Sequence, residues 1–530
     1  MRLSHDTPYP SRRSPVLARN IVAASHPLAA QAGLRMLLKG GNAADAALAT
    51  AIALVVLEPT GNGLGSDAFA IIFDGAELHG LNASGRSPAK FSPDRFAGQM
   101  AMPKRGWDSV TVPGAVSAWR DLSRGFGALP FATLFEPAID YADGGYNVSP
   151  IIAELWLRNA EELKDQPGFA EAWMPEGRAP RAGELFVNKP LARSLRLIAE
   201  SDGEAFYRGE LAERIADFAK VHGAAMTADD LAAHENDWCG TISQAFGESE
   251  LHEIPPNGQG IAALMTLGIL RLMGIEELDP DSADALHLEI EAMKLAFADV
   301  GRFVSDPKHM QTSPKALLDP SYLTTRSRLI DRRKAQVFGA GAPKMGGTVC
   351  LAAADASGRM VSYIQSNFSG FGSGVVVPGT CISLQNRASG FTLEPGHPNE
   401  VGPNKRPFHT IIPGFVTQGG KPHMAFGLMG GPMQAQGHVQ MFLRTQVWGQ
   451  DPQTAADAPR WRFNSGLDVA IEPGYPAATM AALDERGHAI TNEASDANYG
   501  FGGAQLVARN PDGGYIAGSD PRKDGLAIGF

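Results

Sequence analysis

The sequence is poor in cysteine and in charged residues. Its 530 residues include three cysteines, Cys239, Cys350 and Cys381. Three dispersed cysteines form neither a disulfide framework nor a spaced metal site. Charged residues are 19% of the chain, and 57 acidic side chains outnumber 46 basic ones, for a net charge of −11. An acidic chain lacks the electrostatic footprint of a nucleic-acid-binding protein, so no nucleic-acid partner is predicted.

The sequence also lacks a long hydrophobic run. The longest one, Ala46–Leu57, has 12 residues and is too short to span a bilayer, so it is predicted to be a buried helix. The twin arginine Arg12-Arg13 is not followed by the apolar stretch of an export signal. These features predict an unprocessed N-terminus, no membrane association and a cytoplasmic protein.

Several common catalytic and binding motifs are missing. The glycine-rich segments GNGLG (Gly61–Gly65) and GFGSG (Gly370–Gly374) fit neither nucleotide-binding pattern. Ser66 and Asp67, after the first segment, are interpreted as ordinary turn and strand-start residues. H-E-x-x-H, C-x-x-C and G-x-S-x-G are also absent, which argues against a zinc site and a serine hydrolase of the α/β type. No metal and no cofactor are predicted.

What the sequence has is enough apolar material for a large core, at 44% hydrophobic residues, and many turn glycines. Apolar spacing predicts helices over Pro27–Leu38, Ala43–Leu57 and Ala283–Val304, and a strand over Ala68–Phe73. Three charged side chains on the third helix lie off its apolar face and are predicted to be solvated; they are Glu289, Glu291 and Lys294. His287, at the border of that face, is interpreted as structural.

The most informative stretch lies in the middle of the chain. A basic run ends in the segment GAGAPKMGG (Gly339–Gly347), which is typical of a linker. Two β-like segments follow, Thr348–Asp355 and Met360–Phe368, and the short turn between them predicts a hairpin. The first of these strands therefore begins with a threonine that follows two glycines.

A threonine at that place can serve as a nucleophile if the chain is cut before it. The hydroxyl needs a base, and the free α-amino group of an N-terminal threonine can be that base. The pKa of such an amine, about 7.7–8, leaves a useful neutral fraction near pH 7. By itself this pattern is weak, because glycines often precede strands.

Motifs spread over some four hundred residues make the pattern specific. Together they resemble the γ-glutamyltranspeptidase family of N-terminal-nucleophile hydrolases. The matching segments, in chain order, are GGNAADAA (Gly40–Ala47), LNASGRSPAK (Leu81–Lys90), TVPGAVSAW (Thr111–Trp119), PPNGQG (Pro255–Gly260), GGTVCLAAADASGRMVSYIQS (Gly346–Ser366), FGSGVVVPGT (Phe371–Thr380), VGPNKRP (Val401–Pro407) and GGP (Gly430–Pro432).

The resemblance implies an α+β fold with four αββα layers that spans residues 1–530 as one unit. It also implies autocatalytic cleavage between Gly347 and Thr348, which would yield a large subunit 1–347 and a small subunit 348–530. The two subunits would form a heterodimer, whose further assembly is left open.

The resemblance also assigns roles to single residues. Thr348 would be the nucleophile and Ser366 a supporting hydroxyl, while the amides of Gly430 and Gly431 would form the oxyanion hole. Arg86 lies where the family binds the α-carboxylate of the substrate. Lys405 and Arg406 are interpreted as structural. The full set of predicted substrate-binding residues is Arg86, Arg387, Asn367, His409 and Thr410.

This sequence departs from the family pattern around the substrate. The residue that grips the substrate's α-ammonium is acidic in the family, but here that position is Gly390, and Arg387 stands where Gln or Glu is usual. His409-Thr410 replaces a pair of serines. Phe368 takes the position of an asparagine, with Asn367 adjacent. The segment Pro395–Pro407 is shorter than the lid of typical members, so an open pocket that favours hydrolysis over transfer is expected.

Three functions remain open on this basis. The preferred one is hydrolysis of γ-glutamyl amides, such as glutathione, through an acyl-enzyme on Thr348. The second is an acylase for glutaryl or cephalosporin-type amides that lack the α-amino group, which the Gly390 and Arg387 departures motivate. The third is an unprocessed, non-catalytic binding protein.

Overall fold

The computed structural model describes residues 13–338, 347–494 and 499–530. The first two predicted helices are confirmed with the expected bounds, Pro27–Leu38 and Ala43–Leu57. The second helix begins at a capping box, in which the Asn42 side chain accepts the amide of Asp45 and the Asp45 side chain accepts the amide of Asn42. Every residue of this helix is buried, so the apolar run is a core helix, as predicted.

Most strands of the described chain belong to two seven-stranded sheets. The first sheet has the strand order β1-β20-β19-β15-β14-β9-β8 and the second β21-β2-β10-β11-β3-β4-β7. The strands are β1 (Val16–Ala18), β2 (Ile21–Ala24), β3 (Asp67–Phe73), β4 (Leu78–Ala83), β5 (Tyr146–Asn147), β6 (Leu185–Phe186), β7 (Asp237–Trp238), β8 (Ile242–Phe246), β9 (Ser249–Glu253), β10 (Gly347–Ala354), β11 (Met360–Phe368), β12 (Val376–Val377), β13 (Ile382–Ser383), β14 (Pro413–Gln418), β15 (Lys421–Leu428), β16 (Trp461–Ser465), β17 (Asp468–Ile471), β18 (Ala489–Asn492), β19 (Ala504–Arg509), β20 (Tyr515–Ser519) and β21 (Leu526–Gly529).

The helices cover the outer faces of the two sheets. Strands β10 and β11 pack against β15 of the other sheet, helix α2 packs on β10 and β11, and helices α11 and α15 pack on the first sheet. The helices are α1 (Pro27–Leu38), α2 (Ala43–Leu57), α3 (Ala115–Phe126), α4 (Glu136–Gly144), α5 (Pro150–Leu163), α6 (Phe169–Trp173), α7 (Lys189–Glu200), α8 (Glu204–Arg208), α9 (Glu210–Val221), α10 (Ala228–Ala232), α11 (Gly260–Leu272), α12 (Ala283–Phe303), α13 (Pro314–Leu317), α14 (Pro320–Ser327), α15 (Met433–Phe442), α16 (Pro452–Asp457) and α17 (Ala477–Glu485). The predicted four-layer αββα class is confirmed.

Each sheet combines strands from both sides of the bond between residues 347 and 348. In the second sheet, β2, β3, β4 and β7 precede that bond, whereas β10, β11 and β21 follow it. Two pieces produced by a cut there would therefore share both sheets and most of the core.

The predicted hairpin and the strand after the first glycine-rich turn are confirmed. Strands β10 and β11 pair antiparallel, and β11 pairs with β3 on its other side. The predicted linker before β10 lies outside the described residues, except for Gly347.

The third predicted helix is confirmed as α12, but the prediction for its charged side chains is wrong. Glu289, Glu291 and Lys294 are buried rather than solvated. Sequence periodicity identified only one apolar face, whereas α12 is covered on several sides, by α11, α17 and β16. Glu291 and Lys294 pair with each other, and the partners of these three side chains also include Gln336 and Trp461, which lie far away in the sequence.

Within the described ranges, no helix is both long and apolar enough to cross a membrane. The cytoplasmic location stays a prediction.

Candidate active site

Thr348 lies in an irregular place at the start of β10. In the pairing with β11, Gly347 is opposite Phe368 but Val349 is opposite Gln365, so the register shifts around Thr348. Such bulges re-aim a side chain and often occur beside active sites. The Thr348 side chain is buried, and its hydroxyl donates a hydrogen bond to the Ser366 hydroxyl oxygen at 3.2 Å. The structure therefore brings together the predicted nucleophile and the predicted supporting hydroxyl.

A third polar side chain completes this contact and was missed in the sequence. The Gln434 amide nitrogen donates to the Thr348 hydroxyl oxygen at 3.3 Å. Its own carbonyl oxygen accepts the backbone amide of Ile412 at 2.9 Å, which fixes the orientation of the side chain. Gln434 lies in the first turn of α15, directly after the GGP motif, and that position is the only sequence signal that could have found it.

The predicted oxyanion residues lie between β15 and α15. Gly430 and Gly431 have φ angles of 117° and 61°, which side-chain-bearing residues rarely adopt. Among the described residues, neither of their amides has a backbone hydrogen-bond acceptor. Because Gln434 of the same turn reaches Thr348, these amides lie at the helix end nearest the nucleophile, where the helix dipole favours negative charge.

Gln259, from the PPNGQG motif, holds this turn in place. Its side-chain nitrogen donates to the carbonyl oxygen of Gly431 at 2.8 Å and to that of Thr410 at 2.6 Å. One buried amide therefore joins the glycine turn to the segment that carries His409 and Thr410. The motif was matched in the sequence, but this bridging contact was not predicted.

Arg387 is a buried guanidinium connected to the nucleophile through Phe368 and Ser366. It is 1% exposed and lies over the ring of Phe368, 4.6 Å from the ring centroid, while Phe368 donates its backbone amide to Ser366 at 2.7 Å. Its Nη1 donates to the Thr410 hydroxyl at 2.8 Å, but its Nε and Nη2 have no partner among the described residues. Burial lowers the pKa of Arg387 to about 9, against the opposing effect of the negative charge of Asp67, so it remains cationic near neutral pH.

Asp67 and His409 form a buried pair next to this arginine. The His409 Nε2 and an oxygen of Asp67 are 3.1 Å apart, and His409 Nδ1 accepts the amide of Ile411. Nε2 therefore carries the proton and donates it to Asp67. Burial lowers the pKa of His409 well below its usual value, aided by the positive charges of Arg387 and Arg406, so the contact is a hydrogen bond of a neutral imidazole rather than an ion pair.

Asp67 is the first residue of β3, so its interpretation as a strand-start residue is confirmed. The sequence did not show that β3 also pairs Asp67 with Ser366 at the site. No motif marks this position, since only the pairing of β3 with β11 brings it there.

For His409, both ring nitrogens already have hydrogen-bond partners, so a direct contact with substrate stays a prediction. Thr410 is at the site through its contact with Arg387.

Asn367, another member of the predicted binding set, has partners within the protein, and its contact with substrate stays a prediction. Its carbonyl oxygen accepts the hydroxyl of Ser66 at 2.8 Å, and its backbone amide donates to Gly61. Successive residues of a strand point to opposite faces, so Asn367 faces the glycine-rich turn while Ser366 faces Thr348. The neighbouring Phe368, rather than Asn367, borders Arg387.

Arg86 lies in a separate, more exposed place. Its Nη1 donates to a carboxylate oxygen of Asp306 at 2.9 Å, and its side chain is 30% exposed. It lines an open cavity of about 440 Å³ together with His234, Lys308 and Asn404. The structure thus places Arg86 in an ion pair, and its role as a carboxylate ligand stays a prediction.

Gly390 lacks a side chain, and the neighbouring backbone lies too close to accommodate one. A Cβ atom built there would be 2.6 Å from the carbonyl oxygen of Phe408, so the local backbone leaves no space for an acidic side chain. The nearby Lys405 and Arg406 have structural partners, as predicted: Lys405 donates to the carbonyl oxygen of Glu400, and Arg406 pairs with Asp237.

The central side chains of the site are buried. They are Thr348, Ser366, Arg387 and His409. An open pocket stays a prediction for the cleaved enzyme.

Substituting Asp67 by asparagine is expected to change how stability depends on pH. Burial raises the pKa of Asp67 to about 7, although Arg387 and the amides of Gly85 and Gly114 lower it. In the unfolded chain the value is about 3.9. The folded state therefore binds more protons between about pH 4 and pH 7, and stability falls as the pH rises through that window.

The measurement is the melting temperature of Asp67→Asn and its parent from pH 4 to pH 8, both with Thr348→Ala so that neither chain is cut. The melting temperature of the variant relative to its parent should rise from pH 4 to pH 7 and then level off. A difference that does not depend on pH would contradict the raised pKa of Asp67.

The geometry at Thr348 can be compared with known proteins. The family model described as Gamma-glutamyltranspeptidase matches residues 29–530. The chain belongs to the gamma-glutamyltranspeptidase family. It is an amidohydrolase of the N-terminal-nucleophile class, so family membership favours an enzyme over the non-catalytic binding protein.

Relatives within the gamma-glutamyltranspeptidase family carry different names. The glutathione hydrolase-like YwrD proenzyme of Bacillus subtilis is 36% identical and covers 98% of this chain and 100% of its own length. The oxamate amidohydrolase proenzyme of Klebsiella pneumoniae is also 36% identical, covering 98% of this chain and 99% of its own. The crystal structure of a cephalosporin acylase from Bacillus halodurans is 46% identical, with a TM-score of 0.96, over 100% of this chain and 99% of that one.

Proposed function

We propose that this enzyme hydrolyses amides whose acyl group carries a second carboxylate and no α-ammonium, through an acyl-enzyme on Thr348. The observation that carries the proposal is Arg387, a buried guanidinium connected to the nucleophile through Phe368 and Ser366, with two donor nitrogens that have no partner among the described residues. A guanidinium with free donors fits a carboxylate in two parallel hydrogen bonds. Leaving such donors unpaired in a core is costly, which favours a ligand that uses them.

The enzyme would first cut its own chain between Gly347 and Thr348. The Thr348 hydroxyl oxygen attacks the carbonyl carbon of Gly347, and the hydroxyl proton passes to the amide nitrogen as the C–N bond breaks. This leaves an ester and a free α-amine, and water then hydrolyses the ester to the carboxylate of Gly347 and the hydroxyl of Thr348. The names of the two curated relatives, both proenzymes, support a precursor of this kind.

The freed amine then supplies the base for substrate turnover. It takes the proton of the Thr348 hydroxyl as the oxygen attacks the substrate's carbonyl carbon, and it returns the proton to the leaving amine. The amides of Gly430 and Gly431 stabilise the oxyanion, and loss of one such donor typically costs about 10²–10³ in rate. Water completes the cycle by releasing the acid. Ser366 and Gln434 keep the hydroxyl in position throughout.

The surroundings of Arg387 favour a dicarboxylic acyl group over a γ-glutamyl group. A γ-glutamyl substrate brings an α-ammonium, whose family partner is replaced by Gly390 in a backbone position with no space for an acid. The cation of Arg387 would also repel that ammonium in a buried site where charge interactions are strong. The relatives named cephalosporin acylase and oxamate amidohydrolase support this choice.

Hydrolysis of γ-glutamyl amides is the second candidate. The relative named glutathione hydrolase-like supports it, and the Asp67 carboxylate beside Arg387 is the group that would face an α-ammonium. For either acyl group, we propose that water rather than an amine is the usual acceptor, because the short segment Pro395–Pro407 would leave the cleaved site open.

A panel of three anilides with the same leaving group tests the proposed function. Glutaryl-p-nitroanilide has the carboxylate only, γ-glutamyl-p-nitroanilide has the carboxylate and the ammonium, and butyryl-p-nitroanilide has neither. We expect kcat/KM for the glutaryl compound to exceed that of each of the others by at least about tenfold, which corresponds to about 1.4 kcal/mol of transition-state binding.

Adding glycylglycine to each assay measures transfer against hydrolysis. The nitroaniline release rate should change less than about twofold if water is the usual acceptor.

A clear preference for the γ-glutamyl compound would reject the dicarboxylic proposal in favour of the second candidate. Equal rates on all three compounds would reject both.

A further inference from the structure

The segment Ile330–Phe338, here called the strap, is the last described stretch before Gly347 and Thr348. It runs along α12 and is held there by polar side chains rather than by regular secondary structure. These side chains include two of the three charged residues of α12 that sequence periodicity placed in solvent. Their hydrogen-bond partners show which residues of the strap they hold in place.

Both backbone polar groups of one residue of the strap, Gln336, are bound by a buried ion pair. The Glu291 carboxylate accepts the backbone amide of Gln336 at 3.1 Å, and the Lys294 ammonium donates to the carbonyl oxygen of Gln336 at 3.1 Å. Lys294 and Glu291 are themselves 2.7 Å apart, and both side chains are almost completely buried. Glu291 and Lys294 therefore grip Gln336 from the side of α12.

A second contact holds the beginning of the strap. His287, one helical turn before Glu291, lies with its Nε2 2.8 Å from the carbonyl oxygen of Asp331, so this nitrogen donates the hydrogen bond. Its Nδ1 is 2.8 Å from Nε2 of His488. Between the two contacts, the amide of Ala335 donates to the carbonyl oxygen of Arg486 at 2.7 Å. The strap is thus fastened at residues 331, 335 and 336.

This cluster does not call for a metal ion. His287, Glu291 and His488 present ligand-type atoms within 4.8 Å of one another. However, the ammonium of Lys294 already provides the positive charge beside Glu291, and the two imidazoles are hydrogen-bonded directly. These side chains are hydrogen-bonded to one another, and their other hydrogen bonds go to backbone groups of the strap.

Stability alone gives little reason for the ion pair. Desolvation of two buried charges usually offsets their attraction, and an apolar replacement is often neutral or stabilising. Only eight residues, 339–346, separate the strap from Gly347. Gln336 is the last of the fastened points of the strap. Holding it restrains the direction from which the chain enters Gly347, and with it the orientation of the scissile peptide on which attack by the Thr348 hydroxyl depends.

We propose that Glu291 and Lys294 are positioning residues for autocatalytic cleavage: by gripping Gln336, they hold the strap so that the peptide between Gly347 and Thr348 keeps the orientation in which the Thr348 hydroxyl can attack the Gly347 carbonyl carbon. This inference rests on the cleavage in the proposed function. It assigns no part in turnover to the pair, because the pair contacts neither Thr348 nor Arg387 among the described residues.

The test compares the double variant Glu291→Met/Lys294→Met with the parent. It removes both grips on Gln336 and leaves no unpaired buried charge, so folding is expected to be retained. Each chain is made in a short pulse of cell-free synthesis, and precursor disappearance is followed on denaturing gels. We expect the cleavage half-time of the double variant to lengthen at least about tenfold, while kcat and KM of its cleaved form equal those of the parent.

Glu289→Met is the matched control. Glu289 is also a buried carboxylate of α12, but its partner is the indole of Trp461 at 2.9 Å and not the strap. Its cleavage half-time should stay within about twofold of the parent. Hydrogen exchange in the Thr348→Ala background should show faster exchange over 331–338 in the double variant and parental exchange in Glu289→Met.

The other outcomes contradict the inference in distinguishable ways. Parental cleavage by the double variant, with the strap exchanging faster, would show that the grip on Gln336 is irrelevant to cleavage. If cleavage of Glu289→Met is slowed as much as cleavage of the double variant, the slower cleavage reflects a general loss of stability of α12 and not the contacts with the strap. A parent chain that never cleaves would instead overturn the proposed self-cleavage, and this inference with it.

Discussion

Thr348→Ala is expected to leave the chain at its full length and to abolish amide hydrolysis. The substitution removes the oxygen that would attack Gly347 and, later, the substrate, and without cleavage the α-amine that serves as the base never forms. On a denaturing gel the parent should give bands of 347 residues and of the remaining 183, and the variant one band of 530. Activity should fall by more than about 10⁴, the order seen when a hydrolase loses its nucleophile.

Thr348→Ser is the control for this experiment. It keeps the hydroxyl that donates to Ser366 and accepts from Gln434, so it should still give two bands and measurable activity. Two bands from Thr348→Ala, or one band from the parent after long incubation, would remove Thr348 from the mechanism.

Arg387→Met is expected to cost about 10²–10³ in kcat/KM for the glutaryl anilide and much less for the butyryl anilide. The lost interaction is a charge-assisted, two-pronged hydrogen bond to the second carboxylate, in a site from which solvent is largely excluded. Methionine fills a similar volume without leaving a new buried charge. Because burial keeps much of the Asp67 population protonated near pH 7, loss of the arginine cation should be tolerated by the fold.

The ratio of the two substrates separates binding of a carboxylate from general damage to the site. Arg86→Met is the comparison, since the family resemblance assigns the carboxylate to Arg86 whereas the structure pairs that residue with Asp306. If Arg86→Met lowers the ratio and Arg387→Met does not, the carboxylate binds at Arg86 and our assignment of Arg387 is wrong. Arg387→Lys should give an intermediate ratio, because the charge is kept but the planar fork is lost.

The central part of the site was predicted from the sequence mainly through the family resemblance. Two glycines before a threonine at a strand start are a local pattern with a chemical meaning, but by itself this pattern is weak. The resemblance made Thr348 specific and assigned roles to Ser366, Gly430 and Gly431. The structure adds the contact between the hydroxyls of Thr348 and Ser366 at 3.2 Å.

The residues that were missed are joined to the site only by pairing and packing. Asp67 reaches it because β3 lies beside β11, opposite Ser366. Gln434 reaches it because the first turn of α15 is directed at β10. Asn367 is next to Ser366 in the sequence but faces the other side of β11, since adjacent residues of a strand point to opposite faces.

The sequence alone determined what kind of chain this is: an acidic, cysteine-poor protein with enough apolar residues for a large core. It also showed a threonine that follows two glycines at the start of a strand. Those properties follow from composition and local order. Only the tertiary structure decided the environment of the charges: a buried arginine with unpaired donors, a buried aspartic acid beside a neutral histidine, and a lysine–glutamate pair holding the strap. The free energy of a buried charge depends on which distant groups surround it, and chain order does not specify those neighbours.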